Sequence, residues 1–424
     1  MSDPPLIIEA IVDQHAEEAA FLWLLRDAAV RAPHYDLSDL FSLDDRVEAH
    51  IDGLRIAGDP GWEVCAKGLE AGEPGEVFAA GVVALESKNG DRLEQVLAVA
   101  EAEPACTRGF VSALGWVLPR QLHGTVKDFL ASPSELRQQM GLAACAVHRV
   151  DPGDKLAEAI SSGGKELQVR AARAAGELGR RDLSSLLRSV FQSDDLDSRF
   201  WSTWSAVLLG DRGEALDHLK HIGALDSPLK ARSMQTAIRA MTANDAKQWL
   251  KLLSSKDQSL RDVILGSGIS GDPAYIPWLV RQMEPPDVAR AAGEAFTMIT
   301  GVDLAYDDLE AEWPEGFEAG PTENPEDNDV AMDEDEDLPW PDPALVQKWW
   351  QANAHEFTAG QRYLVGKPIT AEHCRYVLLS GFQRQRQAAA LELALMRPDA
   401  PLFETRAPGF RQKSFLDSRS RDSV

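Results

Sequence analysis

Eight hydrophobic residues, Ile56, Leu85, Leu114, Val147, Leu178, Leu209, Met241 and Ile269, recur along this chain at spacings of 29, 29, 33, 31, 31, 32 and 28 residues. Each closes a run with apolar residues at helical spacing, and a second amphipathic run follows. The unit is plainest in residues 165–195. Val169, Ala172, Ala175 and Leu178 make one stripe, Gly179 interrupts it, and Leu183, Leu186, Leu187 and Val190 make another. Such spacing marks amphipathic helices. Two short helices cannot bury their apolar faces alone, so a period near 31 requires each pair to stack on its neighbours. The pattern predicts an all-α chain, an α-solenoid of helix pairs. Strictly alternating β-branched runs, the mark of strands, are almost absent.

Helix ends carry their own punctuation. Gly115, Gly179 and Gly210 follow three of the marks directly, and Gly58 and Gly271 follow two others after one more residue. Glycine there suits a left-handed C-cap. Ser132-Pro133, Asp151-Pro152, Ser227-Pro228, Asp272-Pro273 and Asp342-Pro343 each place an N-cap oxygen before a proline at the first helical position. Ser132 and Glu135 have the spacing of a capping box.

Residues 168–179, QVRAARAAGELG, resemble the HEAT-like repeat of phycobilisome lyases. Four further stretches are similar to a bacterial HEAT-repeat family whose members are often encoded among type VI secretion genes. They are residues 13–27 (DQHAEEAAFLWLLRD), 32–35 (APHY), 45–55 (DRVEAHIDGLR) and 406–412 (RAPGFRQ). The resemblance implies a scaffold or adaptor near a secretion apparatus. It carries no catalytic residues.

The 424 residues hold 43 Lys and Arg against 68 Asp and Glu, a net charge of −25. Residues 303–343 contain seventeen of the acids and no Lys or Arg, so the rest of the chain carries only −8. Five parts follow: a helical cap (1–40), a HEAT-like array (41–302), an acidic loop (303–341), C-terminal helical repeats (342–401) and a basic tail (402–424). The cap is one helix from Ile7 to Val30 with Glu17, Glu18 and Arg26 on a polar outer face. A proline-rich acidic segment buries too little apolar area to offset its ordering entropy, which predicts a disordered loop. The tail is expected to be partly mobile. An acidic chain lacks the clustered cations of a phosphate-backbone surface, so nucleic acid is not an expected partner. No eighteen-residue apolar stretch spans a membrane. With four scattered cysteines and no basic leader, a cytoplasmic location is expected.

Motifs for chemistry are sparse. His218 and His221 share a helix face, but nothing nearby completes a zinc site. His373-Cys374 is an adjacent pair whose side chains diverge. Residues 161–165, SSGGK, lack the first glycine and the hydroxyl of a phosphate loop. A calcium loop starting at Asp327 has Met332 where glycine is required. Arg170, Arg173, Arg180, Arg181 and Arg188 cluster in one repeat, where salt pairing and capping account for them. Trp201 and Trp204, at i and i+3, read as core. No metal or cofactor is expected.

The sequence thus points to a non-catalytic protein-binding scaffold, adaptor or chaperone-like protein, with a type VI secretion component or cargo as the candidate partner. The alternatives are a HEAT-type modifying enzyme such as a lyase, or an immunity or regulatory protein using its acidic loop. Solenoids commonly bind through the second helix of each pair. That rule selects Arg188, Gln192, His218, His221, Lys247, Lys251, Arg281 and Gln282. In the loop, Asp333, Glu334, Asp335, Glu336 and Asp337 would meet a basic partner.

Overall fold

The structure, a computed structural model, describes residues 7–255, 260–321 and 332–421. Among these residues it is about 70% helical, with 22 α-helices. The chain divides into two compact units, residues 1–205 with 400–424, and residues 206–399.

In the first unit, α1 (Glu9–Ala29) packs on α2 (Leu37–Ala57), α3 (Asp59–Gly68) and α4 (Pro74–Ser87). Next come α5 (Gly90–Ala102), α6 (Thr107–Trp116), α7 (Thr125–Ala131), α8 (Glu135–Val147), α9 (Asp154–Ser162), α10 (Lys165–Glu177) and α11 (Ser184–Ser189). Helices α1, α4, α6, α8 and α10 stack in succession, and α3, α5, α7 and α9 flank them. The stacking is close because small residues lie at the crossings. A Cβ on Gly109 would fall 2.0 Å from the Pro74 carbonyl oxygen, and one on Gly75 would fall 2.6 Å from that of Ala20. The core runs through Trp23, Phe78 and Trp116, each ring packed on the next.

Helix α12 (Leu196–Leu208) runs through the unit boundary. The second unit continues with α13 (Glu214–Ile222), α14 (Lys230–Ala240), α15 (Ala243–Leu253), α16 (Leu260–Ser270), α17 (Ile276–Arg281) and α18 (Pro286–Thr300). Here α14, α16 and α18 form the stacked row, and α13, α15 and α17 each flank one member. Then come α19 (Pro343–Asn353), a hairpin of β1 (Tyr363–Leu364) and β2 (Lys367–Pro368), α20 (Ala371–Ser380) and α21 (Gln383–Met396). The hairpin docks by backbone: Tyr363 N donates to Gly271 O at 2.8 Å and Val365 N to Met298 O at 2.8 Å. No helix of the described residues is long and apolar enough to cross a membrane.

All eight hydrophobic marks fall at or within two residues of the ends of α2, α4, α6, α8, α10, α12, α14 and α16. Four of the five punctuating glycines have positive φ, and Gly115 lies inside α6. Of the five expected caps, Asp342 caps α19 and Asp272 caps a short 3-10 turn. Ser134, not Ser132, caps α8, while α9 and α14 begin two residues beyond Pro152 and Pro228 with Gly153 and Leu229 at their N-caps.

Three expectations change. Arg26 is not on an outer polar face: its side chain is 8% exposed, and Ile11, Phe21, Leu24 and Leu25 are the exposed large hydrophobic residues of α1. The tail is not a loose basic end: residues 402–412 are bonded into the first unit, and a helix spans Gly409–Arg421. The third is the acidic segment, whose described flanks have a defined fold. Ala311 N donates to Trp340 O at 2.7 Å and Asp342 N to Leu309 O at 2.9 Å. Arg261 grips Asp335 with both arms, at 2.7 and 2.8 Å, and reaches Glu334 at 3.2 Å. Arg290 donates to Asp333 at 2.7 Å beneath Trp313, Phe317 and Trp340. The cations that order the flanks come from α16 and α18, so composition within the segment could not reveal them. Residues 322–331, including Asp327, lie outside the described residues.

Candidate functional site

The first unit contains a 480 Å³ cleft whose walls come from α1, α6, α8, α10 and the C-terminal segment. Each helix contributes residues at helical spacing: Trp23, Arg26 and Asp27 from α1; Arg108, Ser112 and Trp116 from α6; Arg170, Arg173 and Glu177 from α10. Residues 404–411 close one side with Glu404, Arg406 and Arg411. Six guanidiniums therefore line the cleft against three carboxylates, within a chain that is strongly acidic as a whole.

The C-terminal segment is held by charge-assisted bonds. Arg26 Nε donates to Asp44 Oδ1 at 2.5 Å, and its Nη2 donates to Arg406 O at 3.0 Å. Gly409 N donates to the other oxygen of Asp44 at 2.6 Å. Arg149 donates to Leu402 O at 2.6 Å and to Glu404 at 2.9 Å, while Leu402 N donates to Glu177 O at 3.0 Å. Phe410 sets its ring edge-on to Trp116. The stretches at 13–27 and 406–412, distant in sequence, thus share one cavity wall.

The protein's own carboxylates are each shared. Glu177, 4% exposed, takes Arg170 at 2.6 Å and Arg173 at 2.7 Å. Burial raises its pKa, but Arg170, Arg173 and Arg149 outweigh burial and hold it well below the usual carboxylate range. Asp27 pairs with both Arg108 and Arg406. Arg411 donates to the carbonyls of Gly115 and Val147 at 2.8 and 3.2 Å. Burial, with Arg149 and Arg26 nearby, pulls its pKa down to about 10, so it remains a cation at neutral pH.

His148 lies behind this wall. Its Nε2 is 2.8 Å from Leu114 O, an acceptor, so Nε2 carries the proton and Nδ1 accepts from Arg411 at 3.0 Å. Burial and Arg411 lower its pKa to about 4. A histidine depressed from 6.5 contributes stability that is full above pH 6.5 and lost as pH falls toward 4. Between pH 7 and 5 the wild type should lose about 2 kcal/mol more stability than His148→Gln, which keeps a donor and an acceptor but does not titrate. Urea unfolding at the two pH values checks this; parallel losses would refute it.

The residues singled out from sequence lie elsewhere. Arg188 is on α11 with Gln192 just beyond it, His218 and His221 are on α13, Lys247 and Lys251 on α15, and Arg281 and Gln282 at the end of α17. All are exposed or half-buried, and none lines the cleft. In the acidic flank, Asp333 and Asp335 are bonded internally, as described above, and Glu336 is exposed. Trp201 and Trp204 are buried, with Arg173 over Trp201. Cys374 is buried, its thiol pushed up to about 12, and His373 bonds Leu364 O.

Sequence reasoning treated Arg170 and Arg173 as salt-paired and did not place them in a site. It missed Arg108, Arg406, Arg411, Glu177 and Glu404. One signal was present: Arg170, Arg173 and Glu177 recur at i, i+3 and i+7, a charged stripe along a helix otherwise rich in alanine. The arrangement suits recognition of an anion, because guanidinium forks donate several directed hydrogen bonds and hold their charge. No protein-family model, curated protein or solved structure matches this chain.

Proposed function

We propose that this chain is a non-catalytic cytoplasmic binding protein: an α-solenoid of HEAT-like helix pairs acting as an adaptor or chaperone-like scaffold. Its recognition point is the arginine-lined cleft of the first unit, which engages an anionic group on a partner protein. A type VI secretion component or cargo is the partner class implied by the family resemblance. The cleft carries this reading. Six guanidiniums converge from three helices and a returning chain segment, and arginine recognises anions without exchanging protons at neutral pH.

Affinity capture from the native cell, with cross-linking, tests the reading in wild type and in the Arg108→Gln/Arg406→Gln double variant. Although the cleft walls crowd the Arg406 guanidinium, the two side chains keep 44% and 40% of their surface accessible and Asp27 retains Arg31 at 3.2 Å, so the fold should persist without them. A partner cross-linked to the cleft in wild type and reduced at least tenfold in the variant is the expected result. Equal recovery by both proteins would remove the cleft from partner binding.

A further inference from the structure

We propose that the cleft takes a phosphoryl dianion, either a phosphorylated side chain or a small free phosphate. This rests on the reading of the cleft as the recognition site and names the chemistry of what enters it.

Charge is the first reason. The lining carries three more guanidiniums than carboxylates, and of the charged groups bonded to it from behind, Asp44 and Glu48 offset Arg149 and Arg31. Cations gathered this way repel one another. Burial, together with Arg173 and Arg108 nearby, lowers the pKa of Arg406, and burial with Arg173 and Arg149 lowers that of Arg170. A bound anion relieves that repulsion.

Donor capacity is the second. Arg170 Nε is buried and has no hydrogen-bond partner. Arg108, Arg173 and Arg406 are 44%, 36% and 40% exposed and reach the cleft from α6, α10 and the C-terminal segment. Burial of an unpaired donor is costly, so Glu177, which accepts from Arg170 Nη2, leaves the Arg170 guanidinium only partly satisfied.

Shape separates phosphate from carboxylate. A planar carboxylate offers two oxygens, and Asp27 and Glu177 already present such oxygens to pairs of arginines in the cleft. The remaining donors approach from different walls, which suits the several oxygens of a tetrahedral group. Trp23 and Trp116 are 2% and 4% exposed, so neither presents a face on which a nucleobase could stack. The 480 Å³ volume leaves room for whatever short group bears the phosphate.

Titration calorimetry on the full chain at constant ionic strength provides the test, with inorganic phosphate, a phosphoserine tripeptide and citrate as probes. Saturable phosphate binding should weaken at least tenfold in Arg108→Gln/Arg406→Gln, whose melting temperature and circular dichroism should match wild type. Phosphoserine binding should also weaken several-fold from pH 7.5 to 5.5, as the ligand's second ionisation near pH 6 reverses while the arginines stay charged. A tripeptide at least tenfold tighter than inorganic phosphate assigns the source to a modified protein; equal affinities assign it to a free phosphate. Citrate binding as tight as phosphate overturns the proposal, as does equal phosphate binding by wild type and variant. If no phosphate binds while partner capture still depends on the two arginines, this inference falls and the adaptor reading stands. Phosphate binding with partner capture indifferent to the arginines reverses that outcome.

Discussion

Asp44→Ala is expected to destabilise the first unit by about 3–5 kcal/mol, because it leaves the Arg26 guanidinium charged and buried without its counterion. The side chains of Arg26 and Asp44 are 8% and 1% exposed, so water cannot replace the lost partner. The substitution also orphans Gly409 N, which donates to Asp44 and fixes the returning C-terminal segment. For a unit of this size the loss corresponds to a fall of about 10 °C in melting temperature. Cleavage between residues 400 and 412 by a nonspecific protease should accelerate, since that segment loses one of its anchors. Replacing both partners, Arg26→Met with Asp44→Leu, should recover much of the stability, because two apolar groups leave no uncompensated charge. Calorimetry of the three proteins decides the matter. A loss below 1 kcal/mol for Asp44→Ala would mean that the pair does not lock the C-terminal segment in place.

Arg290→Ala carries the second large effect, and it falls on the acidic segment. The Arg290 side chain is 4% exposed, donates to Asp333 Oδ2 at 2.7 Å and to Asp335 O at 2.9 Å, and lies 5.0 Å from the Trp340 ring and 5.1 Å from that of Trp313. Truncation removes the cation from three aromatic faces and unpairs a partly buried carboxylate, a loss of about 3–5 kcal/mol. The segment should open locally while the stacked helices remain folded. Hydrogen exchange at Ala311 N and Asp342 N, which bond Trp340 O and Leu309 O, should accelerate by two orders of magnitude or more. Tryptophan emission should shift to the red as Trp340, now 9% exposed, meets water. Arg290→Lys should fall between wild type and Ala, because an ammonium keeps the charge without the planar fork. Unchanged exchange in Arg290→Ala would show that the flanks are held by other contacts.

Both effects depend on contacts that no local reading supplies. The 31-residue phase located the ends of eight helices to within two residues, because apolar spacing and helix termination are properties of a few consecutive residues. Cap positions were less legible. Ser132 and Ser134 are both capping residues by type, and only the path of the chain into α8 selects Ser134. Charge was legible as a sum and misleading as a map. Residues 303–343 read as a solvated acidic stretch because Arg261 and Arg290, which bind its flank, are 74 and 43 residues from their partners.

The sequence by itself determined the helical class, the ends of eight helices, the punctuation by glycine and the acidic bias, since each is written in neighbouring residues. Tertiary structure alone decided which charges meet. Arg26 and Arg406 are 380 residues apart and share a hydrogen bond because the chain returns to the first unit and Asp44 anchors both Arg26 and Gly409. The close crossings of α1, α4 and α6, permitted by Gly75 and Gly109, bring Arg26 and Arg108 onto the walls of one cleft. Side-chain type sets what a residue can bind, but packing in three dimensions sets its neighbours, and an anion site requires several cations from distant elements at one point.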